Sequence, residues 1–122
     1  MPRATISTTA ERFELKSLAE AWVELRRMSY GKWLERSQMA MQIGIEAGRN
    51  NGGMRGNIEM LNRQVTAFEL KECLVDHNLL DDNDEKLDLT KAANLDRLDP
   101  QVGQEIGELI RVLHEFGDDL GN

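Results

Sequence analysis

Residues 99–116 read Asp-Pro-Gln-Val-Gly-Gln-Glu-Ile-Gly-Glu-Leu-Ile-Arg-Val-Leu-His-Glu-Phe, and this stretch decides the fold class. Asp99 is a good capping residue, and Pro100 falls at the first helical position, where its missing N–H costs nothing. Gly117 is a typical helix stop. The apolar residues then recur at the spacing of one helix face: Val102, Ile106, Leu109, Ile110, Leu113 and Phe116. The pattern predicts an amphipathic helix.

Three further helices are predicted upstream. The first covers residues 32–46, is capped by Ser29, and places on one face Trp33, Ser37, Ala40, Met41, Gly44 and Ile45. The second covers residues 58–75, is capped by Asn57, and has a broad stripe that includes Ile58, Leu61, Val65 and Phe68. A short third helix covers residues 91–97 and would be capped by Thr90.

The remaining segments favour turns and a hairpin. In residues 1–28, apolar Phe13 and Leu15 alternate with charged residues, as Val23 and Leu25 do further on, so two short strands are expected. The alternative for the second strand is a helix, since residues 18–25 are also good helix material. Residues 48–57 contain four glycines and predict a mobile loop. Residues 76–89 form an acidic turn region that four leucines would anchor to the core: Leu79, Leu80, Leu87 and Leu89.

Together these patterns predict one mainly α domain over residues 1–122, a small helical domain of about four helices preceded by a short N-terminal β-hairpin. The hairpin arm would occupy residues 1–28, the helical body residues 29–117 with its loop at 48–57, and a tail residues 118–122. The length of 122 residues suits a single domain of ordinary size.

The charge is unevenly distributed along the chain. Residues 1–63 hold ten Lys/Arg and seven Asp/Glu, a net charge of +3, and residues 64–122 hold five and fifteen, a net charge of −10. Such an acidic half disfavours general nucleic-acid binding, because phosphate is repelled. An apolar run long enough to cross a membrane is lacking, as is a signal-peptide core near Met1, and Cys73 has no partner for a disulfide. A cytosolic protein is expected.

Sites for chemistry find little support in the sequence. The acidic region fails as an EF-hand, since its registers from Asp76 and Asp81 lack the required glycine and closing glutamate. One cysteine and two histidines do not make a structural zinc pattern, so no metal and no cofactor are expected. Cys73 is interpreted as a buried, inert thiol, and His77 as a cation at the negative end of the second helix. No nucleophile, base and stabiliser occur together, so an enzyme is not expected.

The residues most suited to contact a partner are large and adaptable. Methionine is frequent on surfaces that accept irregular partners, and Trp and Tyr are frequent binding anchors. Core packing is the alternative for most of these side chains, since a domain with few aromatic residues needs its tryptophans inside. The candidates for partner binding are Trp22, Tyr30, Met39 and Met41.

Two stretches resemble a known family. Glu14-Leu-Lys-Ser-Leu18 followed by Val23-Glu-Leu-Arg-Arg-Met-Ser-Tyr-Gly31 is similar to the N-terminal part of tail assembly chaperones from long-tailed bacteriophages. The same group is resembled again by Val75-Asp-His-Asn-Leu79, Leu87-Asp-Leu89, Leu98-Asp-Pro100 and Val102-Gly-Gln-Glu-Ile106. Together the motifs cover about half of the chain, and none of them is catalytic.

The resemblance implies a non-enzymatic protein of the infected host's cytoplasm. It would bind the long, hydrophobic tape measure protein, keep it soluble and help to recruit the major tail protein of the tube, with self-association a further possibility. Two other functions stay open. One is a structural head–tail connector or tail protein that remains in the virion. The other is a small acidic regulator that binds a host protein through the −10 half, with a strong dependence on salt.

Overall fold

The computed structural model describes residue 2 and residues 4–6, 9–49 and 55–114, without the side chains of 46–49 and 55–61. The elements in chain order are β1 (Glu11–Glu14), β2 (Trp22–Leu25), α1 (Tyr30–Arg49), α2 (Arg55–Cys73), β3 (Leu74–His77), α3 (Ala92–Arg97) and α4 (Pro100–His114). The four helices and the hairpin agree with the prediction. The three strands form one antiparallel sheet, so the fold is a small mixed α/β domain and the prediction of a mainly α domain is confirmed only in part.

The hairpin of β1 and β2 forms because its apolar and polar residues alternate. Phe13 pairs with Val23 and Glu14 with Trp22, in the antiparallel register that a seven-residue connection from 15 to 21 permits. Val23 and Leu25 have no exposed surface, whereas their neighbours on the opposite face of β2 are half-buried. In the connection Glu20 adopts a φ of 65°, the left-handed conformation that closes tight turns.

The third strand was missed because the chain passes from helix to strand without a turn. The sequence prediction continued the second helix to residue 75, but α2 ends at Cys73 and the next four residues pair with β2. The carbonyl of Cys73 accepts a hydrogen bond of 2.9 Å from the backbone N–H of Arg26, which draws the chain to the free edge of β2. A strand of four residues is too short to show a clear alternation.

The helix boundaries confirm one predicted cap and correct another. Ser29 caps α1, since its Oγ accepts from the N–H of Lys32 at 3.3 Å. Asn57 lies inside α2 and therefore cannot cap it. The helices extend into both ends of the predicted loop at 48–57, and its middle, residues 50–54, lies outside the described residues. The predicted tail at 118–122, with Phe116 and Gly117, lies outside them as well.

The two C-terminal helices begin differently. Asp99 caps α4 as predicted, because its Oδ1 accepts from the N–H groups of Gln101 at 2.8 Å and Val102 at 3.4 Å. Thr90 does not cap α3. Its hydroxyl donates to Asp88 at 2.5 Å instead, and Lys91 occupies the N-cap position without a side-chain hydrogen bond.

One apolar cluster joins the hairpin, the end of α2, the loop after β3 and the inner face of α4. Leu79 and Leu89 anchor that loop as predicted, while Leu80 is 55 % exposed and does not. α1 adds none of its described side chains to the buried set, since it packs chiefly on α2. The buried members of the cluster are Leu15, Ala21, Val23, Leu25, Met28, Leu70, Cys73, Leu79, Leu89, Val102, Ile106 and Ile110.

A carboxylate attaches the hairpin connection to α4. Glu105 accepts from the backbone N–H groups of Lys16 at 2.7 Å and Ser17 at 2.9 Å, and from the Ser17 hydroxyl at 2.6 Å. These hydrogen bonds, above all that from the Ser17 hydroxyl, hold the pKa of Glu105 below its ordinary value. The ionised side chain therefore satisfies three donors that the turn leaves unpaired.

We expect Glu105→Gln to lower the free energy of unfolding by roughly 1–2 kcal/mol at neutral pH, because an amide cannot accept from all three donors. Since folding lowers the pKa of Glu105, its contribution is present above the ordinary carboxyl pKa and is lost as the pH falls through the folded-state value. The difference between the two proteins should therefore shrink in acid. Urea unfolding followed by circular dichroism measures both effects.

The matched control is Glu108→Gln, one turn further along the same helix. Glu108 pairs with Arg111 three residues away at 2.9 Å, and both side chains are well exposed. Exposed pairs of this kind contribute little, so a change within roughly 0.5 kcal/mol is expected. Equal losses for the two substitutions would contradict the role assigned to Glu105.

Candidate protein-binding surfaces

Among the described residues, no group of three or more His, Cys, Asp or Glu side chains could hold a metal ion. Cys73 has no exposed surface, and burial raises the pKa of its thiol to about 12. The thiol is therefore protonated at neutral pH and a poor nucleophile, as the sequence suggested.

His77 has a different role from the one predicted. It belongs to β3 and is 7 % exposed, so it does not end α2 as a cation. Burial lowers the pKa of the imidazole, and Nδ1 accepts a hydrogen bond of 3.0 Å from the N–H of Leu79. The neighbouring Asp76 pairs instead with Lys86 at 2.5 Å. His77 is thus a neutral, structural acceptor in the sheet.

A large concave surface lies between α2, α3 and α4 and is called the α2–α4 groove here. It encloses about 980 Å³. Its apolar floor is formed by Val65 from α2, Leu98 before α4, and Ile110 from α4. Because α2 and α4 make few contacts with each other, the space between them stays open along several helical turns. A cleft of this size with an apolar floor is the usual form of a binding site.

Two glycines keep the groove wide on the side of α4. Gly103 and Gly107 lie one turn apart and both line it. A methyl group added at Gly107 would meet no atom within 4 Å, and one added at Gly103 would meet the Leu98 side chain at 3.4 Å. The backbone of α4 is therefore accessible from the groove, and a second helix could approach it closely.

The rim of the groove is charged but internally paired. Arg36 of α1 reaches Glu69 of α2 at 2.5 Å, and Arg111 reaches Glu108 on α4 at 2.9 Å. A third pair joins Arg63 of α2 to Asp96 of α3. Paired charges around an apolar floor resemble the arrangement of protein interfaces, in which a polar rim surrounds an apolar centre.

A second surface is the outer face of α1, called the α1 stripe here. Four large apolar side chains lie on it and are well exposed: Tyr30 at 73 %, Leu34 at 40 %, Met41 at 66 % and Ile45 at 47 %. These positions recur at the spacing of one helix face. The sequence pattern placed Met41 and Ile45 on an amphipathic face, and the structure leaves both of these side chains exposed, while Trp33 and Ser37 of the same predicted face are half-buried.

The four candidate contact residues are therefore divided between different environments. Tyr30 and Met41 lie together on the α1 stripe. Met39 is half-buried, and two residues along a helix from Met41 it points to nearly the opposite side. Trp22 lies on β2, where the guanidinium of Arg12 covers its ring at 3.9 Å from the centroid. Trp22 and Met39 thus belong to neither surface.

The groove itself was missed by sequence reasoning. Its floor comes from residues assigned to an ordinary core, and its shape depends on the angle between helices that are distant in the chain. One usable signal was present, since Gly103 and Gly107 interrupt an otherwise strong helix one turn apart. Glycine weakens a helix by roughly 1 kcal/mol, so a pair on one face indicates a close approach of another group.

Comparison with protein-family models, with curated proteins and with solved structures gives no match for this chain. Among the described residues, none of the helices has the length and apolar character that crossing a membrane requires.

His114 at the end of α4 holds the two surfaces in their relative positions. Its Nε2 accepts from the N–H of Met28 at 2.7 Å, just before α1, and its Nδ1 donates to the carbonyl of Ile110 at 2.8 Å. The bond at Nε2 requires the neutral ring, because protonation would turn that acceptor into a donor, whereas the bond from Nδ1 does not. Burial is the largest cause of the lowered pKa of His114.

We expect acid to weaken the fold through His114. Because folding lowers its pKa, the stabilisation is complete above the ordinary histidine value of 6.5 and is lost as the pH falls through 6.5 toward the folded-state value. His114→Gln should lower the free energy of unfolding by about 1–2 kcal/mol at pH of about 7.5 and by less at about 5.5. Urea titrations at the two pH values measure this.

The control is His77→Gln, which removes the other histidine with a lowered pKa. It should leave the His114 part of the pH dependence in place, and the double substitution should flatten the profile between these two pH values. A profile for His114→Gln with the same slope as the parent protein would show that His114 does not titrate on folding.

Proposed function

We propose that this protein is a non-enzymatic chaperone of bacteriophage tail assembly, which binds apolar helical segments of the tape measure protein in the α2–α4 groove. The observation that carries the binding role is the groove itself, with its apolar floor and paired rim. The phage client is inferred from the resemblance of the sequence motifs to tail assembly chaperones.

A helix is the occupant that the groove suits. An α-helix with its side chains is roughly 10–12 Å across, and an amphipathic helix in an apolar groove is a common mode of recognition. The groove is bounded by helices on its long sides and by two glycines on α4, which permit a close helix–helix approach. Apolar side chains of the client would then rest on Val65, Leu98 and Ile110.

The paired charges of the rim would leave the apolar floor as the main source of binding free energy. Because Arg36, Arg63 and Arg111 are already paired with acidic side chains, a client need not bring compensating charges. Binding would depend mainly on apolar surface, which is non-directional and tolerates different sequences. This property suits a protein that holds several segments of one long client and later releases them to the tail tube subunits.

The proposal places the protein in the host cytoplasm, with the tape measure protein and then the major tail protein as partners. The apolar floor of the groove also separates the chaperone function from the alternative of an acidic regulator. Binding by such a regulator would weaken steeply as the salt concentration rises. Burial of apolar surface is much less sensitive to salt.

The direct experiment is co-expression with the tape measure protein of the same phage. We expect the tape measure protein to be insoluble alone and to be recovered in the soluble fraction in complex with this chain. The complex should persist at about 0.5 M salt, since the interaction is mainly apolar. Purified phage particles should contain none of this chain. Stoichiometric retention in particles would favour a structural tail protein instead.

We expect Gly107→Leu to abolish recovery of the soluble complex while leaving the fold intact. The new side chain enters the groove, where no atom lies within 4 Å of the added carbon, and leucine favours helix over glycine by roughly 0.5–1 kcal/mol. Circular dichroism confirms the fold, and co-purification of the tape measure protein reports binding.

The matched control is Val112→Leu, which adds apolar bulk on the same helix at a side chain that is 68 % exposed and does not line the groove. It should bind the client like the parent protein. If Gly107→Leu also binds normally, the groove is not the client site, and if Val112→Leu fails as well, the loss is not specific to the groove.

A further inference from the structure

The proposed client site in the α2–α4 groove does not account for the exposed apolar side chains of the α1 stripe. Arg36, the α1 residue that lines the groove, lies on the other side of the helix from Tyr30, Leu34, Met41 and Ile45, according to their spacing along the chain. None of these four exposed side chains lines the groove. Exposed apolar side chains gathered on one face of a surface helix indicate an interaction site, whereas isolated ones do not.

The positions on the stripe are symmetric about its centre. Tyr30 and Ile45 lie at equal distances from the midpoint between Ser37 and Gln38, and so do Leu34 and Met41. Two copies of α1 laid antiparallel across a twofold axis at this midpoint would therefore place Tyr30 against Ile45 and Leu34 against Met41. A twofold interface needs this self-complementarity, because the same patch is used by both copies.

The small residues of the helix obey the same symmetry. Gly31 and Gly44 are also equidistant from the midpoint, and a methyl group added at either would meet no atom within 4 Å. Ser37 lies next to the axis itself. Small residues at these places allow two helices to approach closely, while the large apolar side chains fill the space on either side. The stripe positions 30, 34, 41 and 45 are spaced by four, seven and four residues, which keeps them on one helix face and is itself symmetric about the midpoint.

The charges agree with pairing of identical copies. The four side chains of the stripe are uncharged, and Glu35, which follows Leu34, would face Ala40 of the other copy rather than another acid. The N-terminal half of the chain, which contains α1, has a net charge of +3, whereas the C-terminal half has −10. Contact through α1 thus avoids the part of the molecule in which two acidic copies would repel each other.

We propose that the α1 stripe is the interface of a homodimer, in which two α1 helices pack antiparallel about the Ser37–Gln38 midpoint. Four exposed side chains per copy make a small interface, so we expect a dissociation constant on the order of micromolar. If the groove binds the client as proposed above, the dimer would offer two grooves facing away from the interface and hold two segments of one long client.

The charge-exchange experiment tests both the surface and its register. Leu34→Glu and Met41→Lys, made separately, should each weaken the dimer by about tenfold or more, because each buries an unpaired charge against an apolar side chain. The two together should restore much of the affinity, since the introduced carboxylate of one copy would then face the introduced ammonium group of the other. Sedimentation velocity over a range of concentrations measures the dissociation constants.

Because these side chains are exposed in the monomer, the substitutions should leave the circular dichroism spectrum unchanged. Val112→Lys is the matched control for a new charge at an exposed apolar residue outside the stripe, and it should dimerise like the parent protein. A parent protein that stays monomeric up to roughly 100 times the expected dissociation constant would overturn the proposal. So would single variants that dimerise normally, or a double variant no better than the single ones.

Dimerisation through the α1 stripe can be tested independently of client binding in the groove. Leu34→Glu should still yield a soluble complex with the tape measure protein when the client is in excess, and Gly107→Leu should still dimerise. Loss of client binding in Leu34→Glu together with a monomeric parent protein would assign the stripe to the client and overturn self-pairing. Loss of client binding in Gly107→Leu with dimerisation preserved leaves the dimer in place.

Discussion

Burial of the central strand β2 determines the positions of the other elements. Val23 and Leu25 have no exposed surface, so one face of this strand must be covered completely by apolar side chains. The inner face of α4 and the end of α2 provide that cover, and β1 and β3 pair with the two edges of the strand. Since β3 follows α2 directly, its pairing with β2 also fixes where α2 ends. α1 lies outside this arrangement and packs on α2.

The sequence predicts an element of this fold where the pattern that forms it lies within the element itself, and not where the element depends on a distant part of the chain. Asp99-Pro100 and the spacing from Val102 onward are local, and the start and inner face of α4 were predicted correctly from them. The hairpin was predictable for the same reason. The strand β3 was not, because Leu74–His77 becomes a strand through pairing with a partner about fifty residues away. The mainly α prediction failed at this point.

The outward face of α1 shows a second limit. An apolar face at helical spacing indicates that something covers it, but the spacing does not say whether the cover comes from the same chain. Met41 and Ile45 were therefore placed correctly on one face without any sign that this face would be exposed. The candidate contact residues were separable only in three dimensions, since Met39 and Met41 are neighbours in sequence and lie on nearly opposite sides of α1.

The two surfaces differ in the physics of their occupants, and this difference argues for two roles. The groove has a rim of paired charges and an apolar floor, so under the proposed function it would accept helices of varied sequence. The α1 stripe is uncharged and symmetric about its midpoint, which favours one specific partner, an identical copy. If both interactions occur, each dimer carries two grooves. Once the client has bound one groove, the other is present at a raised effective concentration for the next segment of that client. A weak groove would then suffice to hold a long client, while each single contact could still be released quickly. Under the proposed function both properties are needed, because two grooves together hold the client and the low affinity of each one allows the client to be released.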